Sequence, residues 1–173
     1  MNLIETARLT LRRLELHDAS FILGLLNEPS FIRFIGDKGV RNLKDACDYL
    51  EKGPMLSYRR FGFGLYLASL REGCAPIGMC GLVKRDALQD VDVGFALMPQ
   101  FAGFGYATES AAAVLAYGRR EFGLQRIVGI TDPDNHASIA VLRKIGLRFE
   151  RNVALDGSGK EVKLFGPAGA GPS

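Results

Sequence analysis

The chain has 173 residues, 47% hydrophobic and 24% charged. That is enough for one domain with its own apolar core, in the composition range of a soluble globular protein. Its net charge is only +3, and the basic pairs Arg12-Arg13, Arg59-Arg60 and Arg119-Arg120 are scattered, which argues against nucleic acid as a partner, because that binding rests on clustered phosphate contacts.

Cys47, Cys74 and Cys80 show no Cys-x-x-Cys spacing, and His17 and His136 have no ligand-type neighbours. Reduced thiols are therefore expected, with no disulfide framework and no metal. The opening Met1-Asn2-Leu3-Ile4-Glu5 lacks the basic start and apolar stretch of a leader, and no run of about 18 apolar residues follows. A cytoplasmic protein with no membrane partner is the expectation.

Taken in order, Leu9, Leu11 and Leu14 alternate with polar residues between Thr6 and Leu14, which predicts a strand. Asp18 to Leu26 reads as a short helix stopped near Asn27-Glu28-Pro29, and a second runs from Ser30 to Ile35. Asn42 and Asp45 form an N-cap pair opening a helix to Leu50, and a further helical turn follows Gly53-Pro54. Three strands come next, at Gly64–Leu70, Ile77–Val83 and Val91–Met98, with connections short enough for an antiparallel meander.

Tyr106 to Phe122 has the helical apolar period and ends at Gly123. Arg126–Thr131 is a strand, and His136–Ile145 a helix closed by Gly146. Leu147–Leu155 and Glu161–Phe165 form a hairpin about Asp156-Gly157-Ser158-Gly159. No repeat or linker divides the chain. The expectation is a mixed α/β domain over residues 1–166, followed by a flexible tail at 167–173.

The chemistry gathers where the Val91–Met98 strand runs into Gly103-x-Gly105 and a helix begins at once. The first amides of a helix lack partners and its dipole is positive there, so an anion fits. Glycine lets the backbone approach phosphate oxygens without a Cβ clash. A plain glycine turn is the competing reading. The dinucleotide fingerprint fails, because Thr108 stands where its third glycine belongs, and the Gly-Lys-Ser/Thr of a phosphate loop is missing. A pyrophosphate of another kind, such as that of coenzyme A, remains.

The segment Gln100-Phe101-Ala102-Gly103-Phe104-Gly105 fits the Gln/Arg-x-x-Gly-x-Gly/Ala signature at every position. With Glu5-Thr6-Ala7-Arg8-Leu9-Thr10-Leu11-Arg12, the run Gly103 to Glu109 and the run Asn135 to Gly146, the chain resembles the GNAT superfamily of N-acetyltransferases over nearly its whole length. Within it the resemblance is to the RimJ/RimL type, which acetylates ribosomal-protein N-termini. The resemblance implies a mostly antiparallel, splayed sheet of about seven strands flanked by helices, with acetyl-CoA as cosubstrate.

It also implies roles. Backbone amides from Phe101 through Ala102, Gly103, Phe104 and Gly105 to Tyr106, with Ala107 and Thr108 behind them, hold the pyrophosphate. Phe95, Ala96 and Leu97 pair with the pantetheine amides in the manner of an added strand, and Asn135 either bonds that arm, caps its helix, or both. Many family members carry a tyrosine acid at the position of Leu142 here, so the acid role passes to Ser138. Asp92 is the candidate base, with Asp90 as loop charge beside it, and Arg143 and Lys144 fall near the adenine end, where they either meet the 3′-phosphate or are plain surface charges.

The acceptor is an amine, either a peptide N-terminus or a small amine. Without a strong base an α-amine suits better, since deprotonation at pH 7 costs roughly 1 kcal/mol against about 4.6 kcal/mol for lysine. A homodimer is the expected assembly. The alternative is a non-catalytic coenzyme A-binding or regulatory module of the same fold.

Overall fold

The computed structural model describes residues 1–169. Strands β1 (Asn2–Glu5) and β2 (Leu9–Arg13) lead into four short helices, α1 (Ala19–Leu26), α2 (Pro29–Phe34), α3 (Leu43–Lys52) and α4 (Pro54–Phe61). The meander β3 (Leu65–Leu70), β4 (Pro76–Val83) and β5 (Val91–Leu97) follows. Then come α5 (Tyr106–Phe122), β6 (Ile127–Thr131), α6 (His136–Lys144), β7 (Leu147–Ala154) and β8 (Glu161–Pro167).

The eight strands form one sheet in the order β1-β2-β3-β4-β5-β6-β8-β7. Every neighbouring pair is antiparallel except β5 and β6. The mixed, mostly antiparallel α/β architecture expected from the sequence is therefore present. The strand count is eight rather than seven because β1 is real: Ile4 is buried in the main core. Four residues with a register shift between Asn2 and Ile4 carry too little alternation to announce a strand. The last strand also runs beyond Phe165, since Leu147 pairs with Pro167 and the Ala168 amide donates to the Gly146 carbonyl. Residues 170–173 of the expected tail lie outside the described residues.

The sheet separates two apolar layers. On one face α5 buries Ala111, Val114 and Leu115 against Tyr66, Cys80, Leu82, Val91, Val93 and Ile127. On the other, α1–α3 bury Ile22, Leu25, Leu26, Phe31, Ala46 and Leu50 against Leu67 and Met79. Strand alternation divides β5 between them. Val91, Val93, Phe95 and Leu97 belong to the α5 layer, and Ala96 and Met98 to the α1–α3 layer. One glycine is dictated by strand spacing: a Cβ on Gly78 would collide with the Ala96 carbonyl oxygen and Leu97 Cα.

Candidate active site

The two central parallel strands touch only briefly. β5 meets β6 at Val91↔Ile127 and Asp92↔Val128 and then parts from it. Beyond that point β5 continues along β4 as far as Leu97↔Gly78, while β6 turns to β8 at Gly129↔Phe165. The β6-facing edge of β5 from Val93 to Leu97 is thus left without a strand partner, and a wedge opens between the half-sheets. Phe95, Ala96 and Leu97 line it, as the added-strand reading requires.

The glycine loop stands at the open end of this wedge. A 3-10 turn over Pro99–Phe101 follows β5, and Gly103 and Gly105 take positive φ values of 84° and 82°. No side chain caps α5 at Gly105, and the first helical bond runs from Glu109 N to Gly105 O. Among the described residues, the amides from Gly103 to Thr108 have no protein acceptor. The Phe101 and Ala102 amides already donate to Met98 O at 3.0 Å and Pro99 O at 3.1 Å. Of the run expected to hold a pyrophosphate, the free donors are therefore those of residues 103–106, continued by Ala107 and Thr108. A Cβ on Gly103 would meet nothing within 4 Å, so the cradle is open on that side. Free amides at a long helix start, open space and a neighbouring unpaired strand fit a coenzyme A pyrophosphate and its amide-bearing arm.

Across the wedge, α6 starts at Asn135. Its side-chain oxygen accepts from Ser138 N at 3.1 Å, so the asparagine caps the helix and keeps its NH2 free for a ligand. The Ser138 hydroxyl is half-buried and, among the described residues, has no hydrogen-bond partner. Leu142, at the place of the family's usual tyrosine, is fully buried and packs on Gly129, where a Cβ would meet its side chain at 2.5 Å. Arg143 and Lys144 sit at the other end of α6, where cations offset the free carbonyls.

Asp92 lies at the closed end of the wedge, in the last β5–β6 pair. It is 1% exposed and receives a hydrogen bond from Arg85 Nε at 3.0 Å. Burial drives its pKa up to about 6, with Arg85 holding it back from going further. Val91 and Val93 face α5, so Asp92 faces the α1–α3 layer. The charge of Arg85 is felt there by Tyr49 of α3. Ser138 rides on α6, whose Ile139 and Leu142 join the α5 layer. Asp92 and the helix that carries Ser138 thus lie on opposite faces of the sheet.

Sequence reasoning gave no role to two residues that shape this site. Arg126 Nε bonds Asp90 at 3.0 Å and its Nη1 bonds Glu150 Oε1 at 3.0 Å, pinning the closed end of the wedge from both half-sheets. Arg8, in the β1–β2 turn, reaches the glycine loop and Glu109. Arg8 and Glu109 lie 101 positions apart, so no local pattern could pair them.

A sheet parted beside a glycine-cradled helix start is the arrangement that the resemblance to acetyltransferases implies. The comparisons agree. Residues 8–148 match the model of the acetyltransferase (GNAT) domain. The uncharacterized N-acetyltransferases YnaD and YoaA, both of Bacillus subtilis strain 168, are 29% and 26% identical. The YnaD match covers 85% of this chain and 83% of the relative, and the YoaA match 86% and 84%. The solved structure of RimL, a ribosomal L7/L12 alpha-N-protein acetyltransferase in complex with coenzyme A, superposes with a TM-score of 0.81 at 19% identity, covering 96% of this chain and 97% of that one, which shows a shared fold. The chain belongs to the GNAT acetyltransferase family.

Proposed function

We propose that this enzyme transfers the acetyl group of acetyl-CoA to a primary amine by direct attack in a ternary complex, and that its acceptor is a protein N-terminal α-amine, as in the RimJ/RimL type. The observation that carries the donor half is the parted β5–β6 pair beside six free amides, Gly103 to Thr108. Those amides cradle the pyrophosphate, the free edge at Phe95, Ala96 and Leu97 pairs with the pantetheine arm, and the Asn135 NH2 bonds the same arm.

Acetyl-CoA supplies an activated thioester; the chain must deprotonate the amine, polarise the carbonyl and protonate the departing sulfur. Asp92, with a pKa near 6, is ionised at neutral pH and still basic enough to accept a proton directly or through one water. The free β5 edge offers a backbone N–H near Phe95 or Ala96 to the carbonyl oxygen. Ser138, half-buried on α6 with no hydrogen-bond partner for its hydroxyl among the described residues, supplies the proton or hydrogen bond that the sulfur needs. Buried Leu142 has no part in this, which makes the serine the residue to test.

A base of pKa near 6 suits an α-amine of pKa near 7.8 far better than a lysine near 10.4. A polyamine would ask for clustered carboxylates, and the acidic run Asp45, Asp48 and Glu51 on α3 is split by pairing of Asp48 with Lys44 and of Asp45 with the Arg41 amide. The test is a transfer assay with acetyl-CoA over peptide N-termini, lysine peptides, free amino acids and polyamines. Peptide α-amines should turn over fastest. Turnover of polyamines alone would overturn the acceptor assignment, and coenzyme A binding with no turnover on any amine would make the chain a binding module.

A further inference from the structure

Six amides without partners on a loop bearing Gly103 and Gly105 have a cost. Glycine gives the backbone more freedom than any other residue, and that freedom must be removed before or during phosphate binding. Something outside the loop has to hold it. The side chain that bonds its backbone comes from the N-terminal part of the chain, 96 residues away. Arg8 Nη1 donates to the Phe104 carbonyl at 2.8 Å, and among the described residues no other side chain bonds the backbone between Pro99 and Gly105.

Arg8 is itself fixed on several sides. Its Nε donates to Glu109 Oε2 at 2.7 Å and its backbone N–H to Glu109 Oε1 at 2.9 Å. The Thr6 hydroxyl donates to that same Oε1 at 2.6 Å. The guanidinium lies 4.5 Å from the Tyr106 ring centroid, and Tyr106 stacks on Phe104 at 5.8 Å. A Cβ on Gly105 would lie 3.4 Å from Arg8 Nη2, so the arginine also closes against the loop's last glycine. The β1–β2 turn is held in its own right, by Arg71 Nη1 to Thr6 O and by Arg71 N to Arg8 O, each at 2.9 Å.

One arginine therefore joins a carbonyl inside the loop to a carboxylate in the first turn of α5. It also neutralises that carboxylate, whose charge lies in the same helix turn as the anion-accepting amides. Burial raises the pKa of Glu109, but the bonds from Thr6 and Arg8 outweigh it and leave the group more acidic than usual, hence ionised and dependent on its partner.

We infer that Arg8 is a positioning residue that holds the glycine loop in the shape that receives the pyrophosphate of acetyl-CoA. This rests on the acetyl-CoA reading above. It predicts a loss confined to donors that carry the pyrophosphate. The test compares kcat/KM for acetyl-CoA and for S-acetylpantetheine, which ends before the pyrophosphate, using the amine that the acceptor panel selects. In Arg8→Ala the ratio of the two should fall about tenfold, the scale of one charge-assisted hydrogen bond, through a higher KM for acetyl-CoA with kcat within about twofold. Arg8→Lys keeps the charge but cannot reach Phe104 O and Glu109 together, so its ratio should also fall, by about fivefold. An unchanged ratio in Arg8→Ala, an equal loss with both donors, or full recovery in Arg8→Lys would each overturn the inference. A wild-type protein that uses neither donor would overturn the acetyl-CoA reading itself, a different result from wild-type turnover with an unaltered Arg8 variant.

Discussion

The carboxylate of Asp92 is held by Arg85 Nε at 3.0 Å, with the aspartate 1% and the arginine 35% exposed. A half-exposed cation thus reaches in to partner a buried anion. Burial raises the pKa of Asp92 and the arginine opposes that rise, leaving the carboxyl to titrate at about 6, just below neutral pH.

If Asp92 is the base, the rate with an α-amine acceptor should rise as pH increases through about 6, because only the ionised carboxylate accepts a proton. Asp92→Asn should lose that limb and most of the turnover. A pH–kcat/KM series on both proteins checks this, and a limb that persists in the variant removes Asp92 from the mechanism.

The same group makes a stability prediction of opposite sense to that of most carboxylates. Its folded pKa is raised above the ordinary value of 3.8, so between about pH 4 and 6 the folded state binds more protons than the unfolded one. Its contribution is therefore most favourable below pH 4 and is lost as pH rises through 6. Asp92→Asn carries no such penalty and should be more stable than wild type at pH 7, by about 1–3 kcal/mol. The gap should close toward pH 4. Paired urea melts at the two pH values measure it, and the comparison cancels Asp18 and Glu150, whose lowered pKa values act in the reverse sense in both proteins.

Ser138→Ala should reduce kcat about a hundredfold, the lower range for one acid–base group, and leave the dissociation constant of coenzyme A within about threefold. The helix cap is untouched, because Asn135 bonds the backbone N–H of residue 138 and not its hydroxyl. Stopped-flow turnover and calorimetry separate the two effects. A kcat unchanged by the substitution returns Ser138 to a structural role.

Arg126→Met should lower stability by about 1–3 kcal/mol, since Glu150 and Asp90 lose a shared, partly buried partner. Arg126 joins the strands on either side of the parting, so acetyl-CoA and S-acetylpantetheine should lose efficiency together. That pattern is the opposite of the donor-selective one expected for Arg8, and thermal melts alongside both kinetic series distinguish them.

Local chemistry made much of this legible beforehand. Asn42 caps α3 through Asp45 N at 2.8 Å, Gly123 closes α5 at φ 63°, and the meander and α5 fall within a residue or two of where periodicity puts them. The glycine loop, the Asn135 cap and the missing tyrosine at Leu142 were equally visible. These features depend on a residue and its neighbours within one or two turns. Strand β1 escaped because a bulge breaks its alternation within four residues.

The sequence by itself determined that a helix follows a strand at once through two glycines, a start where an anion fits. Only the tertiary structure decided that β5 leaves β6 after Asp92, that Asp92 and the helix carrying Ser138 lie on opposite faces of the sheet, and that Arg8 closes on the loop from 96 residues away. Caps, periods and glycine turns are enforced by backbone sterics over a few residues. Strand parting, burial of a carboxylate and a long-range arginine tie arise only when distant segments compete for the same space and the same charges.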